Sequence, residues 1–568
     1  MFKKFLLPVC LLLVCLGCKK KESPHPTNTG NGTTLKDSAN TQHISVLTQH
    51  NDNTRAGLNN QETALTTANV NSASFGKLFE LTVDDQTYSQ PLVVGNLTIG
   101  SKTRNVVFIA TVNNSVYAYD ADNGTLYWQK NYTVNGMRTP NSGDMASSWC
   151  NPYTDFSYNI GIVGTPVIDP TSQTIYFVAR STDGKNFVQY LHAVNITTGA
   201  EQSGSPVKIT ASVPGTGDGS VSGVSSFDPL RNNQRQGLVL VNGIVYISYS
   251  SHCDWNPYHG WILGYDAKTL AQTTVYNDTP NGENGGMWES GMGVAADAQG
   301  NLYVTTGNGT VGQGNHYATS GNGTNETVAN PDPTDLTDRA ESALKLTPSG
   351  STLAVTSYFT PTNYVDLNNN DLDYGVMGTF LVPNTNLFIT GAKDGNIYLL
   401  NKDNMGGYSP TANQVVQTLP INNSMHCQPA FYQGPTNAYV YFWSENDRLK
   451  AYAFNNGKFA FTPTTSPDSG PTGGSGSVLS VSSNGTSNGI LWAWYASSGD
   501  AGAGSSPGIL RAFDAGNVTK ELWNSSQSIN DFPGFYAKFC APTIANGKVF
   551  VGTFSHKVVV YGLKSNFQ

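Results

Sequence analysis

The feature that most constrains the fold is a unit of short strands and polar turns that recurs along the chain. Residues 105–128 contain two alternating apolar runs, Val106 to Ala110 and Val116 to Tyr119, separated by the polar turn Asn113-Asn114. A second turn, residues 121–124, supplies Asp, Asn and Gly and opens a third strand. If the preceding stretch Ser89 to Val94 is counted as a strand, the unit is a four-stranded antiparallel meander. One meander cannot bury both of its faces, so copies must surround a centre or stack along an axis.

Seven further copies follow the first one. They begin near residues 162, 237, 291, 378, 429, 478 and 542. The last copy stops one strand short, and an unpaired alternating strand, Phe75 to Val83, precedes the first copy. A ring closes without a free edge when such an N-terminal strand completes the last blade. The sequence therefore predicts a single all-β, eight-bladed β-propeller of four-stranded antiparallel blades, with seven or nine blades as the alternatives.

Composition agrees with short strands and turns and excludes some functions. The 568 residues include 59 Gly, 28 Pro and 28 Tyr, and only 12% are charged. The formal net charge is −8, and the folded part has no Lys/Arg cluster, which argues against nucleic acid as a partner. No P-loop or GxSxG pattern is present, so hydrolysis of nucleotides or esters has no support.

The first residues have the layout of a bacterial lipoprotein signal. Lys3-Lys4 precede an apolar run, and Leu16-Gly17-Cys18 resembles a lipobox, in which the cysteine is lipidated. We expect residues 1–18 to be the signal peptide, 19–42 a flexible tether and 43–568 the propeller. By analogy with known sorting rules, Lys19 favours the outer membrane over the inner one. The membrane is then a partner through the lipid, and the folded part lies in an oxidising compartment.

The turn after the third strand carries a family resemblance. Residues 118–124, Ala-Tyr-Asp-Ala-Asp-Asn-Gly, followed by Trp128, resemble the tryptophan-docking repeat of quinoprotein dehydrogenases and their PQQ-like propeller relatives. Weaker copies stand at Ala193 to Gly199, Gly264-x-Asp266 and Ala512-x-Asp514. The resemblance implies that Trp packs between neighbouring blades; it does not imply catalysis, because one fold hosts many functions.

Unusual residues concentrate on one predicted face of the ring. The face that carries the connections between blades and the turns between second and third strands is here called the upper face. We expect ligand-binding residues of three types there, Trp, His and Glu: Trp149, His252, Trp255, His259, Trp288, Glu289 and His426. A long Gly/Asn/Thr-rich insertion in blade 4 joins them on this face.

All four cysteines of the folded part fall on the same face. In an exported protein, disulfides are the expected state of Cys150, Cys253, Cys427 and Cys540, with Cys150 to Cys253 the favoured pair. Cys427 and Cys540 can meet only near the narrow channel mouth. The alternative is a zinc or copper site formed by His252, His426 and these thiols, although no compact CxxC spacing is present.

The loop before blade 5 contains hard oxygen ligands. Asp366, Asn368, Asp371 and Asp373 are candidates to hold calcium, although the spacing matches no complete EF-hand loop. A solvated polar turn is the alternative interpretation.

The resemblance also sets expectations for an enzyme. A quinoprotein holds calcium beside PQQ, with an aspartate base, an aromatic floor and, in many members, a disulfide between adjacent cysteines over the cofactor. Trp255, Trp288, Trp443 or Trp494 could supply the floor and Glu289 or Asp373 a ligand, but the chain has neither adjacent cysteines nor a CxxCH haem motif. We therefore expect a non-catalytic binding or scaffold module for a small molecule, a glycan or an envelope protein. The alternative is a PQQ- and calcium-dependent dehydrogenase acting on an alcohol or sugar.

Overall fold

Eight sheets of four or five strands form the ring that the repeats predicted, as an eight-bladed β-propeller. The computed structural model describes residues 42–145, 151–312, 332–421, 423–471, 473–502 and 505–567. The predicted signal peptide, with Cys18, and most of the predicted tether therefore lie outside the described residues. Within the described ranges, no helix is both long and apolar enough to cross a membrane.

The strands of blades 1 to 4 are given from the channel outward. They are Leu92–Ile99, Lys102–Ala110, Ser115–Asp120 and Leu126–Asn131 in blade 1; Val167–Asp169, Thr174–Thr182, Phe187–Asn195 and Val207–Lys208 in blade 2; Val239–Val241, Ile244–Ser251, Trp261–Asp266 and Gln272–Asn277 in blade 3; and Ala295–Ala296, Leu302–Thr305, Ala343–Ser349 and Thr352–Thr360 in blade 4. Two further strands join these blades at their margins: Asn232–Asn233 in blade 3 and Gly407–Tyr408 in blade 4.

Blades 5 to 8 follow the same order. Their strands are Phe380–Leu381, Leu387–Gly391, Asn396–Asn401 and Gln417–Pro420 in blade 5; Ala430–Gln433, Ala438–Phe442, Arg448–Asn455, Lys458–Phe459 and Thr464–Ser469 in blade 6; Val478–Asn484, Ser487–Ala496, Gly508–Asp514 and Glu521–Asn524 in blade 7; and Thr543–Ala545, Lys548–Gly552, Lys557–Leu563 and Phe75–Thr82 in blade 8. The N-terminal strand Phe75–Thr82 pairs antiparallel with Lys557–Leu563, which confirms the predicted closure.

Few elements lie outside the blades. The hairpin Ser212–Pro214 and Val224–Ser226 projects between blades 2 and 3, and Leu58–Asn59 pairs with the inner strand of blade 7. One short α-helix, Tyr364–Asn369, precedes blade 5 in the described part of the chain. The described 3₁₀ turns are Ser142–Met145, Glu289–Gly291, Ile529–Asp531 and Lys564–Phe567.

The hydrophobic core lies between the blades. Eight clusters of buried residues each combine facing strands of two neighbours, one cluster for each junction around the ring. At the junction of blades 1 and 2, the Trp128 indole N–H donates to Ile196 O (2.9 Å). A Cβ on Gly199 would lie 2.7 Å from the Trp128 ring, and Gly199 has φ +67°, so glycine is needed there. This is the tryptophan docking that the repeat implied.

One feature of the fold was not predicted: residues 43–61 close the channel. The sequence indicated only a short strand and a polar connection here. The segment instead contacts the inner strand of every blade in chain order, through Val46 to Val93, Leu47 to Ile168, Thr48 to Leu238, Asn53 to Ala296, Thr54 to Leu381, Ala56 to Phe431, Gly57 to Val481 and Asn59 to Ile544. We call this segment the plug.

The plug enters from the lower face, opposite the upper face. Near its start, Ile44 N donates to the Asn546 side chain in the first turn of blade 8, and near its end Asn60 O accepts from Gly485 N in that of blade 7. Its middle reaches into the channel, where Arg55 and His50 are buried. The channel is therefore blind, and its remaining mouth opens on the upper face.

Candidate functional site

A narrow pocket lies at the channel mouth on the upper face. About 390 Å³ that protein atoms do not fill, open solvent included, lies between its lining residues, most of which come from the connections that enter five blades. The lining residues are Tyr88, Asp155, Phe156, Val163, Asn233, Arg235, Ser251, Trp288, Lys538 and Phe539. Of these, only Trp288 was predicted as a ligand-binding residue. We call this the mouth pocket.

Arg235 is the central cation of the mouth pocket. Its guanidinium carbon lies 4.9 Å from the Trp288 ring centroid and 5.0 Å from that of Phe539, so the cation lies over two aromatic rings. Such contacts are worth about 0.5–2 kcal/mol each. The Nε atom donates to Trp288 O (3.1 Å), which fixes the plane of the guanidinium.

Lys538 supplies a second cation. Its Nζ donates to Gly502 O (3.1 Å) and lies 3.6 Å from the half-exposed Asp155 carboxylate. Burial lowers the pKa of Lys538, an effect that Asp155 opposes and Arg235 increases. Burial likewise lowers the pKa of Arg235. Two cations of the lining therefore face one lining carboxylate, Asp155.

Three buried polar atoms that line the mouth pocket lack a hydrogen-bond partner among the described residues. They are Asn233 Oδ1, Ser251 Oγ and Trp288 Nε1. Such atoms cost about 1–3 kcal/mol each when nothing satisfies them. Together they offer one acceptor, one indole donor and one hydroxyl to a ligand.

The predicted ligand residue His252 lies behind the pocket. Its Nε2 faces Arg180 Nη1, and its Nδ1 lies 2.8 Å from the Tyr153 hydroxyl. Burial, followed by the charges of Arg180 and Arg235, lowers the pKa of His252 well below its ordinary value. Because Arg180 can only donate, Nε2 accepts and Nδ1 carries the proton. His252 therefore orients neighbouring groups, and both of its nitrogens are occupied.

His259 lines a separate pocket in blade 3, and Trp255 contacts Arg231, another residue of that lining. Arg231 stacks on Trp255 (5.2 Å) and is paired with Asp228 (2.8 Å). His259 lies between Thr279 Oγ1 and Asp218 O, both at 2.9 Å. The structure thus separates these two residues from Trp288, and Arg231, unlike Arg235, has a carboxylate partner.

Glu289 is adjacent to Trp288 in sequence, but its side chain is fully buried. It accepts from Thr305 N (3.2 Å) and Thr379 Oγ1 (3.0 Å). Burial raises its pKa to about 7, and these hydrogen bonds and Arg55 oppose the rise. It does not line the mouth pocket, and its predicted ligand-binding role stays a prediction.

The predicted calcium residues fall into two settings. Asp366 and Asn368 belong to the short helix, where the Asn368 amide is bonded to the backbone of Gly309 in both directions. Asp371 and Asp373 instead hold the Lys393 ammonium, at 3.1 and 2.6 Å. In the ranges that the structure describes, no group of three His, Cys, Asp or Glu is placed to hold a metal ion. Calcium binding by these residues stays a prediction.

An acidic group surrounds Lys393 on the upper face. Asp254 accepts from the Tyr258 hydroxyl (2.6 Å), and burial, followed by the charges of Asp373 and Asp371, raises its pKa to about 7. Glu341 accepts from Tyr374 N, and burial raises its pKa well above the ordinary value. Much of this cluster's negative charge is thus removed by protonation and by Lys393.

These residues, as they are arranged, do not fit PQQ stacked over a bound calcium ion. Arg235 lies over the face of Trp288, and Tyr258 meets the ring at its edge (6.4 Å between centroids). The indole is only 8% exposed, so the flat slot expected beside it is closed. The two carboxylates that would complete a cation site are already neutralised by Lys393.

Among the described residues, His426 and the cysteines form no common metal centre. His426 Nδ1 lies 2.8 Å from Ser424 Oγ and 3.1 Å from Glu445 Oε1. The disulfide prediction is wrong for Cys427 and Cys540, which are free thiols buried in different hydrophobic clusters. Burial raises the pKa of each to about 12, and Cys540 Sγ donates to Ser89 O.

The other two cysteines have different outcomes. Cys253 is disulfide-bonded. Cys150, its predicted partner, and Trp149 lie outside the described residues, so their pairing and ligand role stay predictions.

Sequence reasoning missed Arg235, Lys538 and Phe539. A positional signal was available, because they directly precede the inner strands of blades 3 and 8, where connections meet the channel mouth. That position places a residue near the axis, but it does not reveal which partners it meets.

Comparison with known proteins supports the fold. No family model matches the sequence, and no curated protein matches it. The chain is similar to the solved quinohemoprotein alcohol dehydrogenase of Comamonas testosteroni (13% identity, TM-score 0.58, 91% of this chain and 80% of that one). It is also similar to a europium-containing methanol dehydrogenase (11%, 0.56, 92% and 99%) and to quinohemoprotein alcohol dehydrogenase ADHIIG of Pseudomonas putida HK5 (13%, 0.53, 91% and 80%). At these identities the likeness shows the fold alone: this chain shares the β-propeller fold of these solved structures, as its repeats predicted.

Proposed function

We propose that this protein is a non-catalytic binding module whose small-molecule ligand occupies the mouth pocket. The observation that carries the proposal is the lining itself, which combines incompletely neutralised cations, unsatisfied polar atoms and aromatic walls in one concave site. Ligand pockets are typically apolar clefts with a few convergent polar groups. The plug makes the site blind, so a ligand enters and leaves by the upper face.

The lining favours binding over catalysis. Its titratable residues are Tyr88, Asp155, Arg235 and Lys538, and Asp155 is the ion-pair partner of Lys538. No lining residue of the described part pairs a nucleophile with a general base, which covalent catalysis would need. The nearest imidazole, His252, is held between Arg180 and Tyr153.

Anchoring and the disulfide complete the proposal. Cys18 carries a lipid in the outer membrane, and residues 19–42 form the tether to the propeller. The described chain begins at the lower face, where Gln42 O accepts from Asn105 Nδ2 (3.1 Å). The mouth pocket then opens away from the attachment point.

Cys150 is the partner of Cys253 in the proposed disulfide. Peptide mapping without reduction should recover these two cysteines linked, and Cys427 and Cys540 alkylated.

The pocket assignment is tested with a charge-balanced panel of small molecules, including neutral sugars, on the intact protein. Binding is followed by thermal shift and tryptophan fluorescence. We expect ligands that bind wild type to bind Phe539→Ala at least tenfold more weakly, because Phe539 forms one wall. The matched control is Phe535→Ala, an exposed phenylalanine outside the pocket. Equal losses in both variants, or binding unaffected by either, would contradict the assignment. A protein that binds only a purified glycan or envelope partner would also contradict it.

The rival function, a PQQ- and calcium-dependent dehydrogenase, is supported by the shared fold and by Trp288 beside Asp373. Calorimetric titration of PQQ with and without calcium separates the two. Micromolar binding, about −8 kcal/mol, that requires calcium would favour the dehydrogenase. We expect no calcium-dependent heat, because Arg235 covers Trp288 and Lys393 holds the carboxylates.

A further inference from the structure

We infer, resting on the proposed function, that the ligand of the mouth pocket is a small carboxylate with a flat apolar body, its carboxylate held by Arg235. The inference starts from how Arg235 is bound. Its guanidinium lies over the Phe539 and Trp288 rings, and its Nε donates to the Trp288 carbonyl, as described above. Its two terminal nitrogens donate to none of the described residues, and no described carboxylate forms an ion pair with it.

A guanidinium fixed in this way presents one free edge. That edge carries parallel N–H donors whose spacing matches the two oxygens of a carboxylate. Because stacking already holds the side chain in place, little side-chain entropy is lost when the ligand binds. A carboxylate therefore completes the set of hydrogen bonds that the protein leaves open.

The local charge balance favours an anion. Lys538 and Arg235 line the pocket against one carboxylate, Asp155, whose side chain is 46% exposed. Arg180 lies behind His252 and is also fully buried, with no ion-pair partner among the described residues. Its Nη2 donates only to the carbonyls of Pro229 and Leu230. An incoming anion reduces the repulsion between these cations.

The rest of the lining describes the body of the ligand. Tyr88, Phe156 and Val163 form an apolar wall, and the Tyr88 and Phe156 rings are 4.6 Å apart. Asn233 Oδ1 and Trp288 Nε1, on two other lining residues, are buried and have no partner among the described residues. Aromatic walls pack well against a flat apolar group. These features favour an aromatic or unsaturated monocarboxylate over a phosphate ester.

The experiment is calorimetry on the full-length protein with three acids, benzoate, cinnamate and indole-3-acetate, and their neutral amides. We expect at least one acid to bind, and its amide to bind at least tenfold more weakly. Arg235→Gln should weaken binding of the acid at least tenfold. Arg235→Lys should have an affinity between those of wild type and Arg235→Gln, since lysine keeps the charge but not the paired N–H donors. The matched control is Arg231→Gln, an arginine that also stacks on a tryptophan but is paired with Asp228. It should leave binding unchanged.

Circular dichroism melts of each variant separate loss of binding from loss of folding. A second variant, Lys538→Gln, should weaken binding of the acid about threefold. This variant makes the test independent of Arg235. Amides that bind as well as acids, phosphate that binds in place of every acid, or no acid binding at all would each overturn the inference. In those cases, a neutral compound that still binds in a Phe539-dependent way would leave the proposed function standing, so the two failures are distinguishable.

Discussion

Two arginines near the axis show the difference between the closed and the open end of the channel. Arg55 in the plug is fully buried and makes four hydrogen bonds, to Val294 O, Thr48 Oγ1, Gln49 O and Leu238 O, at 2.7–3.1 Å. Arg235 at the mouth makes one side-chain hydrogen bond, to Trp288 O, and is otherwise held by ring stacking. Burial lowers the pKa of both, that of Arg55 to about 10.

The comparison separates a structural cation from a ligand-binding one. The protein itself supplies acceptors for Arg55, which ties the segments before the inner strands of blades 3 and 4 to the plug. The protein fixes the plane of Arg235 but leaves its terminal donors open. Arg235 is partly exposed at the mouth, so a ligand can reach the donors that the protein leaves open.

The largest expected effect is a loss of stability in Arg55→Met, a substitution at the closed end of the channel. Three backbone carbonyls and the Thr48 hydroxyl lose their donor in a site without solvent. At about 1–3 kcal/mol for each unsatisfied group, partly offset by relaxation, we expect a loss of about 3–5 kcal/mol in the free energy of unfolding. Urea denaturation measures it. A loss below about 1 kcal/mol would mean that the plug is not part of the cooperative fold.

The second effect is a pH dependence set by Glu289, which lies between the two ends. Its pKa is about 7 in the folded protein against an ordinary 4.5, so the folded state binds more protons between these values. Its contribution to stability is full below pH 4.5 and is lost as pH rises through 7, by about 3 kcal/mol. Glu289→Gln removes this loss, so its stability relative to wild type should rise from pH 4.5 to pH 8. Parallel pH profiles in urea denaturation would contradict the assignment.

The smallest expected effect is on the stability of Arg235→Gln, a substitution at the open end of the channel. Arg235→Gln should change the free energy of unfolding by less than about 1 kcal/mol, because only one hydrogen bond and two stacking contacts are lost. The desolvation cost of the cation is lost with them. Thermal and urea unfolding of Arg235→Gln and Arg55→Met, measured side by side, give the comparison directly. A loss as large as that of Arg55→Met would make Arg235 a structural residue.

The sequence was sufficient for the ring but not for the pocket. Strand alternation and the turns around Asn113 and Gly124 are local signals, and the unpaired strand Phe75–Thr82 had only one edge to complete. The plug escaped prediction because its contacts are mostly backbone hydrogen bonds to eight distant strands, which leave no periodic pattern. Arg235 escaped because its partner Phe539 lies some three hundred residues away. Asp371 and Asp373 looked like metal ligands because the sequence did not show that Lys393 lies between them.

Hydrogen–deuterium exchange of the intact protein, with and without a saturating aromatic monocarboxylate such as cinnamate, tests the central claim most directly. The account predicts added protection in the connections that form the mouth pocket, residues 151–165, 231–237, 286–291 and 535–541. The plug, residues 43–61, should exchange at the same slow rate in both conditions. Protection confined to the plug or to the acidic cluster around Lys393, with none at the mouth, would contradict it.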